Sequence, residues 1–453
     1  MHEARIINVN NINILDYGAK PNTGIICTKE IQAALDAASD SHGATVIIPA
    51  GEFLTGTLNI GGASLYLEKG AVLKGSPRIE DYVFNGYRHN EMGQTLSLLY
   101  SLNHDDIRIS GEGTIDLNGD SFYHMDRATV PDCGFELTDK QKAECTRTYE
   151  KRPNQPIFFY SCTRVRIQDI RIINAPCWTL SFIECQDIRA TGLTIGNSLI
   201  LPNNDGMHFC SCRKVFVSHC NITSGDDCIA LSCITDWNKP CEEIVISDCI
   251  LKSCSKAIVV GYMHSIVRNV CISNCIILES NRAFCIMTSS GTGLVENILV
   301  NNMRLDTRVR AGNWWGNGEP VAIVATRNNI ASYAAAIPDR CFPVNVRNVQ
   351  FQNLICSGEN AIGIVGEDGN ICDVTFTNLS MELKDSENLP IKGRLIDASP
   401  GPQTAQLPDE SPYWLHVQGA KDIRIRNARI ALYQGAKPGV SMKDCVNVEI
   451  EAE

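Results

Sequence analysis

The sequence lacks any apolar run long enough to form a transmembrane helix. Its first residues, Met1-His2-Glu3-Ala4-Arg5-Ile6-Ile7, lack the basic-then-apolar order of a secretory signal. Positive charge is scarce, with 40 lysines and arginines against 51 aspartates and glutamates and a formal net charge of -11. These absences predict a cytoplasmic location (a secreted one if a signal was removed), and they argue against a membrane or a nucleic-acid partner.

Metal-binding patterns are also missing. No C-x-x-C pairs with a second C-x-x-C at zinc spacing, and no His/Asp/Glu cluster has metal spacing, so we expect no metal and no cofactor. The 21 cysteines are an odd number, which leaves at least one unpaired. Cysteines recur at equivalent positions of a repeat, which is typical of small buried apolar residues in a reduced protein.

What the sequence does contain is a repeat of short apolar strands separated by polar turns. Successive copies begin at Cys162, Cys185, Cys212, Cys241 and Val267, which lie 23, 27, 29 and 26 residues apart. A propeller blade needs about 40 residues, so this period favours a β-solenoid over a propeller or a sandwich. We therefore predict an all-β fold, a parallel β-helix whose stacked coils bury one apolar column.

The repeat predicts a single domain over residues 1–453. An amphipathic helix over residues 28–41, capped by Thr28 and followed by Gly43, is expected to close the exposed terminal coil. The predicted parts are an N-terminal cap region 1–60, core coils 61–306 with an acidic site, a loop insertion 307–345 with Trp314 and Trp315, and C-terminal coils 346–453. A second interruption, rich in charge, covers residues 125–153.

Three carboxylates recur at close to one coil's spacing. Asp205 lies in Pro-Asn-Asn-Asp-Gly-Met-His (202–208), and Asp226 and Asp227 lie in Ser-Gly-Asp-Asp-Cys-Ile (224–229). Residues one coil apart would be roughly 4.8 Å apart, so the three should form one acidic cluster. Such a cluster cannot ionise freely, and a protonated acid beside an ionised base is what glycosidic cleavage needs. Alternatively, these residues cap turns between coils.

Together with residues 15–19, 46–51, 67–73 and 111–116, these motifs resemble family 28 glycoside hydrolases, the polygalacturonase-like enzymes. The resemblance implies a right-handed, pectin-lyase-like parallel β-helix and an inverting hydrolysis. Asp226 would protonate the leaving oxygen, and Asp205 and Asp227 would activate water. Two family elements are replaced: Lys256 stands where a histidine is expected, and residues 285–287 (Cys-Ile-Met) stand where Arg-Ile-Lys is expected. The sugar in the cleaving subsite is therefore either neutral or held differently from galacturonate.

Several other residues are candidates for substrate binding, some with a structural alternative. Lys256 would bind substrate or hold an aspartate ionised, or it is a solvated surface lysine. Arg282 or Arg268 could supply a replacement cation for a uronate, and for Arg268 a surface salt bridge is the alternative. Trp314 and Trp315 would be exposed and stack on a sugar, and Glu319 would accept a sugar hydroxyl or be a loop charge. The full candidate set is Asn203, His208, Lys256, Arg282, Trp314, Trp315 and Glu319.

The sequence thus predicts a glycoside hydrolase acting on pectin-type or related plant oligosaccharides. Two alternatives stay open. One is a lyase, epimerase or glycosyl transferase on the same scaffold, with Lys256 as a base. The other is a non-catalytic carbohydrate-binding solenoid. The repeat also leaves a homo-oligomer open.

Overall fold

Strands of successive coils pair in parallel along the whole computed structural model, which describes residues 11–40, 44–131, 133–327, 339–388, 413–436 and 439–453. For example, Ile188 lies beside Val215, and Val215 lies beside Ile244. Crossovers between parallel strands of one sheet are right-handed. The fold is the predicted right-handed parallel β-helix.

Two parallel sheets form the coils within the described residues. The larger sheet has 22 strands: Asn11–Asn13, Thr45–Ile48, Gly51–Thr55, Ser64–Leu67, Ala71–Gly75, Arg108–Gly111, Thr114–Asp116, Thr163–Gln168, Arg171–Ile173, Gln186–Thr191, Thr194–Gly196, Arg213–Ser218, Asn221–Ser224, Cys241–Ser247, Ile250–Ser253, Ile266–Ser273, Ile276–Ser280, Leu294–Thr307, Val346–Gly358, Ile371–Leu383, Ala420–Leu432 and Val446–Ala452. The smaller sheet has 12 strands: Leu58–Asn59, Leu99–Leu102, Ile157–Tyr160, Leu180–Ile183, Met207–Cys210, Ile229–Ser232, Lys256–Val260, Arg282–Ser289, Glu319–Thr326, Ile362–Val365, Leu415–Gln418 and Ser441–Lys443.

Like side chains stack along the core because each coil repeats the position of the one before. Phe159, Phe182 and Phe209 lie with ring centroids 5.1 Å apart and rings nearly parallel. Many of the cysteines also recur at inward positions, such as Cys162, Cys185 and Cys212, and all 21 are free, most of them buried. The apolar column is therefore held by packing without disulfides.

Asparagines recur at sharp bends of the larger sheet, between strands at Asn274 and within the long strands at Asn302, Asn353 and Asn378. Asn274, Asn302, Asn353 and Asn378 have positive φ, a conformation that asparagine tolerates better than most residues. Their amides form a ladder, each donating to the oxygen of the asparagine one coil earlier at 2.9 to 3.3 Å. The turn therefore has the same shape in every coil and keeps the strands in register.

The N-terminal end of the solenoid is closed by a helix, α1 (Thr28–Asp40), which buries Ile31, Ala34, Leu35 and Ala38. The Thr28 hydroxyl accepts from the Gly56 N–H at 2.7 Å, so it joins the helix to a strand and does not cap it. The predicted end of the helix at Ser41 and the following Gly43 lie outside the described residues.

A second helix and two hairpins project beside the smaller sheet. Helix α2 (Asp139–Glu144) lies between the antiparallel strands Tyr123–Ala128 and Arg147–Tyr149, and the other hairpin is Phe84–His89 with Gly93–Leu96. Three 3-10 turns complete the described elements: Ile14–Tyr17, Ile79–Asp81 and Gly119–Phe122. In the part of the chain that is described, no helix is long and apolar enough to cross a membrane.

The segment 307–345 is not wholly the predicted loop insertion. Its residues Glu319–Thr326 form a strand that pairs with Arg282–Ser289 on one side and with Ile362–Val365 on the other. The whole strand is buried, because its apolar run Val-Ala-Ile-Val-Ala continues the core. The boundary drawn at residue 60 is likewise not structural, since Thr45–Ile48 and Gly51–Thr55 already belong to the large sheet.

Candidate active site

Asp205 and Asp227 occupy the same position on adjacent coils. Each precedes a strand of the smaller sheet, and those strands align with Met207 beside Ile229. The Gly206 N–H donates to the Asp227 carbonyl at 2.8 Å, and a Cβ on Gly206 would lie 2.5 Å from the Cys228 carbonyl oxygen. Because glycine allows this close approach, the two acids lie on neighbouring coils at one end of the sheet.

Asn204, the buried residue before Asp205, fixes the turn that carries Asp226. Its side-chain oxygen accepts from the N–H groups of Gly225 at 2.6 Å and of Asp226 at 3.2 Å. The Asp226 carbonyl in turn accepts from the hydroxyls of Ser224 at 2.7 Å and Ser253 at 2.6 Å. These bonds span three coils, so the backbone of Asp226 is held from both sides.

All three aspartates are nearly buried, at 3% to 8% exposure. Burial, then the charge of Asp227, raises the pKa of Asp205 well above its usual range. Burial also raises the pKa of Asp226 well above that range, and there the charges of both Asp227 and Asp205 add to it. Burial and neighbouring negative charges therefore favour the protonated form at both Asp205 and Asp226.

Lys256 lies on the next coil and supplies the cluster's positive charge. Its Nζ is 3.0 Å from Asp227 Oδ1, and its backbone N–H donates to the same oxygen at 3.3 Å. Burial alone would lower the pKa of Lys256, but Asp227 and Asp226 outweigh it and raise that pKa. The lysine is therefore a cation that opposes part of the aspartates' charge.

His208 lies beside Asp205 and is neutral at neutral pH, because burial lowers its pKa to about 4. Its ring packs on Trp178 with centroids 3.9 Å apart, and Nε2 lies 3.0 Å from the Ser232 hydroxyl. Nδ1 is 3.5 Å from Asp205 Oδ2. Among the described residues, His208 Nδ1 and Asp205 Oδ1 have no hydrogen-bond partner, so both are available to a bound molecule or water.

These residues line a cleft of about 300 Å³. One wall is the tip of the hairpin Phe84–His89 and Gly93–Leu96, where Asn90 donates to the carbonyls of Ile234 and Thr235 at 3.0 Å each. Among the described residues, the lining is Glu91, Met92, Trp178, Asn203, Asp205, His208, Asp226, Asp227, Ala230, Ser232, Ile234, Lys256, Val259, Gly261, Tyr262 and Trp315. The cleft thus combines a carboxylate cluster with an apolar surface, as a carbohydrate site requires.

Five of the seven predicted binding residues meet at or beside this cleft. Asn203, His208, Lys256 and Trp315 line it, with Trp315 facing Lys256 Nζ at 5.6 Å from the ring centre. Trp314 is 1% exposed, and its indole N–H donates to the Glu144 carbonyl at 2.7 Å. The expectation that both tryptophans are exposed is therefore wrong for Trp314, which packs under α2 beside the cleft wall.

Arg282 and Glu319 are absent from the cleft lining that the described residues form. They bind each other on neighbouring coils, with Nε 3.2 Å from Oε2 and Nη2 2.7 Å from Oε1. Both side chains are completely buried. Arg282, predicted as a replacement cation for a uronate, is instead paired with Glu319, because the strand that carries Glu319 lies directly beside it.

Sequence reasoning missed Glu91, Met92, Trp178 and Tyr262 in the lining. Trp178 takes the same position before its strand as Asp205 does one coil later, because Leu180 pairs with Met207. Aligning the repeat copies would have found it. Glu91 and Met92 come from a hairpin outside the repeat, and no sequence signal indicates where that hairpin folds.

No group of three or more histidine, cysteine, aspartate or glutamate side chains suited to a metal ion occurs among the residues described. The cleft brings together the three aspartate carboxyl groups and a lysine, with burial favouring the protonated form of two of these carboxyls. Such a set can transfer a proton to a leaving group and activate a water.

Comparison with known proteins gives the family. Residues 39–389 match the family described as Glycosyl hydrolases family 28. A probable polygalacturonase from Vitis vinifera is 24% identical over 88% of this chain and 81% of its own length. An exo-poly-alpha-D-galacturonosidase from Dickeya chrysanthemi is 27% identical over 48% of this chain and 41% of its own length.

Solved structures agree on the fold. A family 28 exopolygalacturonase from Yersinia enterocolitica has a TM-score of 0.69 at 18% identity, covering 98% of this chain and 79% of that one. A hyperthermoactive exopolygalacturonase from Thermotoga maritima has a TM-score of 0.64 at 22% identity, covering 83% and 87%. The match over most of the chain, on the fold and cleft described above, shows that this protein is a glycosidase that belongs to glycosyl hydrolases family 28.

Proposed function

We propose that this protein is an inverting hydrolase of O-glycosidic bonds in pectin-type or related plant oligosaccharides. Asp226 protonates the leaving oxygen, while Asp205 and Asp227 activate the attacking water. The observation that carries the proposal is the buried cluster itself, in which Asp205 and Asp227 lie on adjacent coils beside Asp226, and Asp227 is ion-paired to Lys256. The curated relatives named as polygalacturonases supply the substrate class.

The state of Lys256 favours hydrolysis over the lyase alternative. A lyase would need a neutral lysine to abstract a proton, but the carboxylates of Asp227 and Asp226 raise the pKa of Lys256 and keep it protonated. Lys256 therefore acts as a positioning residue that balances charge. A product with ultraviolet absorbance of an unsaturated uronate would contradict this assignment.

The test compares Asp226→Asn with Asp248→Asn on a panel of pectic and neutral oligosaccharides. Asp248 is an exposed turn residue at positive φ and receives the same chemical change outside the cleft. General acid catalysis contributes about 10²- to 10⁴-fold, so Asp226→Asn should lower kcat by that factor and Asp248→Asn should not. Equal rates for wild type and Asp226→Asn would reject the role of Asp226.

The stereochemistry is tested separately. Inversion predicts that the first-formed product carries the anomeric configuration opposite to that of the cleaved bond, as seen by NMR before mutarotation. Retention in the first product would instead require a covalent intermediate, and it would remove Asp205 and Asp227 from the role of base.

A further inference from the structure

The cleft has a large excess of negative over positive side chains. Glu91, Asp205, Asp226 and Asp227 all line it, and Lys256 is the one lysine or arginine among its described lining residues. Lys256 Nζ is committed to Asp227 Oδ1 at 3.0 Å. A sugar entering this cleft therefore meets carboxylates whose single nearby cation is already paired.

The next two cations behind the cleft are also occupied. Arg282 directs Nε and Nη2 to Glu319, and its side chain has no exposed surface. Arg152 is buried and donates from Nη1 to the carbonyls of Pro176 and Pro202, both at 2.7 Å. Its Nη2 donates to the Asn203 side chain at 2.9 Å. These guanidinium groups bind other groups of the protein, and neither is directed at a sugar carboxylate.

The polar atoms that are available in the cleft suit a ligand that donates hydrogen bonds. Asp205 Oδ1 is a buried acceptor without a partner among the described residues, and carboxylate oxygens bind sugar hydroxyls well. The lining also includes the apolar surfaces of Val259, Tyr262 and Trp315, which suit the C–H face of a sugar ring. Hydroxyl groups and C–H groups fit this surface, whereas a sugar carboxylate would meet no cation among the described lining residues that is not already paired with a protein carboxylate.

We propose that the sugar unit that binds against the three aspartates is uncharged, either a neutral sugar or a uronic acid whose carboxyl is esterified. The inference rests on the proposed function, and it names the substrate class of the same site. It departs from the free polygalacturonate that the names of the curated relatives suggest.

The test is a matched pair of ligands that differ only in charge: oligogalacturonides with free carboxyls and the same oligomers fully methyl-esterified. Binding to Asp226→Asn is measured by calorimetry at pH 7, where no turnover interferes. We expect the ester to bind at least about tenfold more tightly. Raising the salt concentration should reduce the difference in affinity between the ester and the free acid, because salt screens the electrostatic repulsion of the free acid. Tighter or equal binding of the free acid, or no binding of either, would overturn the proposal.

A second variant makes the charge argument specific. Glu91→Gln removes one carboxylate from the lining and should tighten binding of the free acid several-fold, with little effect on the ester. Glu80→Gln, an exposed glutamate beside Arg78, is the matched control and should change neither. If Glu91→Gln leaves the ratio between the two ligands unchanged, charge is not the selecting property.

Turnover by the wild type separates this inference from the proposed function. Suppose that the free acid is cleaved faster than the ester and that Asp226→Asn abolishes this cleavage. That result would support the proposed hydrolase activity and contradict the proposal that the bound sugar is uncharged. Tight binding of the ester without cleavage of any oligosaccharide would support the proposal that the bound sugar is uncharged and contradict the proposed hydrolase activity.

Discussion

At the scale of single residues, the chemistry depends on a column of ionisable side chains. Asp205, Asp227, Lys256, Arg282 and Glu319 occupy one position on five successive coils. Along the column, two aspartates are followed by two cationic side chains and then by a glutamate. Lys256 forms an ion pair with Asp227, and Arg282 forms one with Glu319. The effect of changing any one of them is therefore set by the neighbour one coil away.

Replacing Lys256 by methionine should move the pH optimum upward. Lys256 lowers the pKa values of Asp205 and Asp226, so its removal raises both, and both limbs of the kcat/KM profile should shift to higher pH. The control is Lys252→Met, which removes a lysine paired with Glu279 outside the cleft lining. An unchanged profile, or a shift to lower pH, would show that Lys256 does not set these pKa values.

The buried pair of Arg282 and Glu319 should behave as a unit. Arg282→Met alone leaves an unpaired buried carboxylate and should lower the free energy of unfolding by about 3–5 kcal/mol. Adding Glu319→Gln removes that charge while keeping an acceptor for the Asn317 N–H, so the double variant should regain most of the loss. Denaturant unfolding measures this double-mutant cycle. Additive losses in the free energy of unfolding would mean that the two charges are not coupled.

The residue scale also shows what sequence could and could not predict. The spacing of Asp205, Asp226 and Asp227 predicted a shared cluster because Asp205 and Asp227 lie at the same point of a regular repeat and Asp226 is next to Asp227. The burial of Arg282 and Trp314 could not be predicted. It depends on a strand and a helix, Glu319–Thr326 and α2, whose places follow from long-range packing.

At the scale of elements, the hairpin Phe84–His89 and Gly93–Leu96 gives the cleft a wall. Asn90 joins the hairpin tip to the carbonyls of Ile234 and Thr235. Asn90→Ala should raise KM about fivefold by loosening this wall, since one hydrogen bond contributes about 1 kcal/mol. kcat should change little, because the aspartates are held by Asn204, Ser224 and Ser253.

The control for that variant is Gln94→Ala, an exposed position on the same hairpin. Steady-state kinetics on one oligosaccharide would separate the two parameters. A fall in kcat with unchanged KM would show that the hairpin aligns the acids and does not simply wall the cleft.

Elements of the repeat were predictable, and elements outside it were not. The alternating strands after Cys162, Cys185 and Cys212 appear as expected because period-two patterning and turn residues act locally. The hairpin at 84–96 and α2 lack that repetition. Helix α2 has a capping box at Thr138 and Gln141, but its place against Trp314 depends on contacts far apart in sequence.

At the scale of the whole molecule, stability comes from the stacked core and not from cross-links. All 21 cysteines are free. A reducing agent should therefore leave Tm unchanged, whereas losing a structural disulfide typically costs 2–5 kcal/mol. A thiol reagent should react in the native protein chiefly with exposed thiols such as Cys341, and with all of them after unfolding. A fall in Tm of several degrees with reductant would contradict this expectation.

The column from Asp205 to Glu319 has a consequence for how such a protein can diversify. Its members are one strand spacing apart in space, yet consecutive members are separated by 22, 29, 26 and 37 residues of chain, the longest stretch being the excursion that carries Trp314 and Trp315. Lengthening or exchanging an excursion changes the surroundings of the cleft without moving one acid relative to another. Substrate specificity and catalytic chemistry therefore reside on separate stretches of chain. Sequence changes in the excursions can alter the substrate while the reaction is retained.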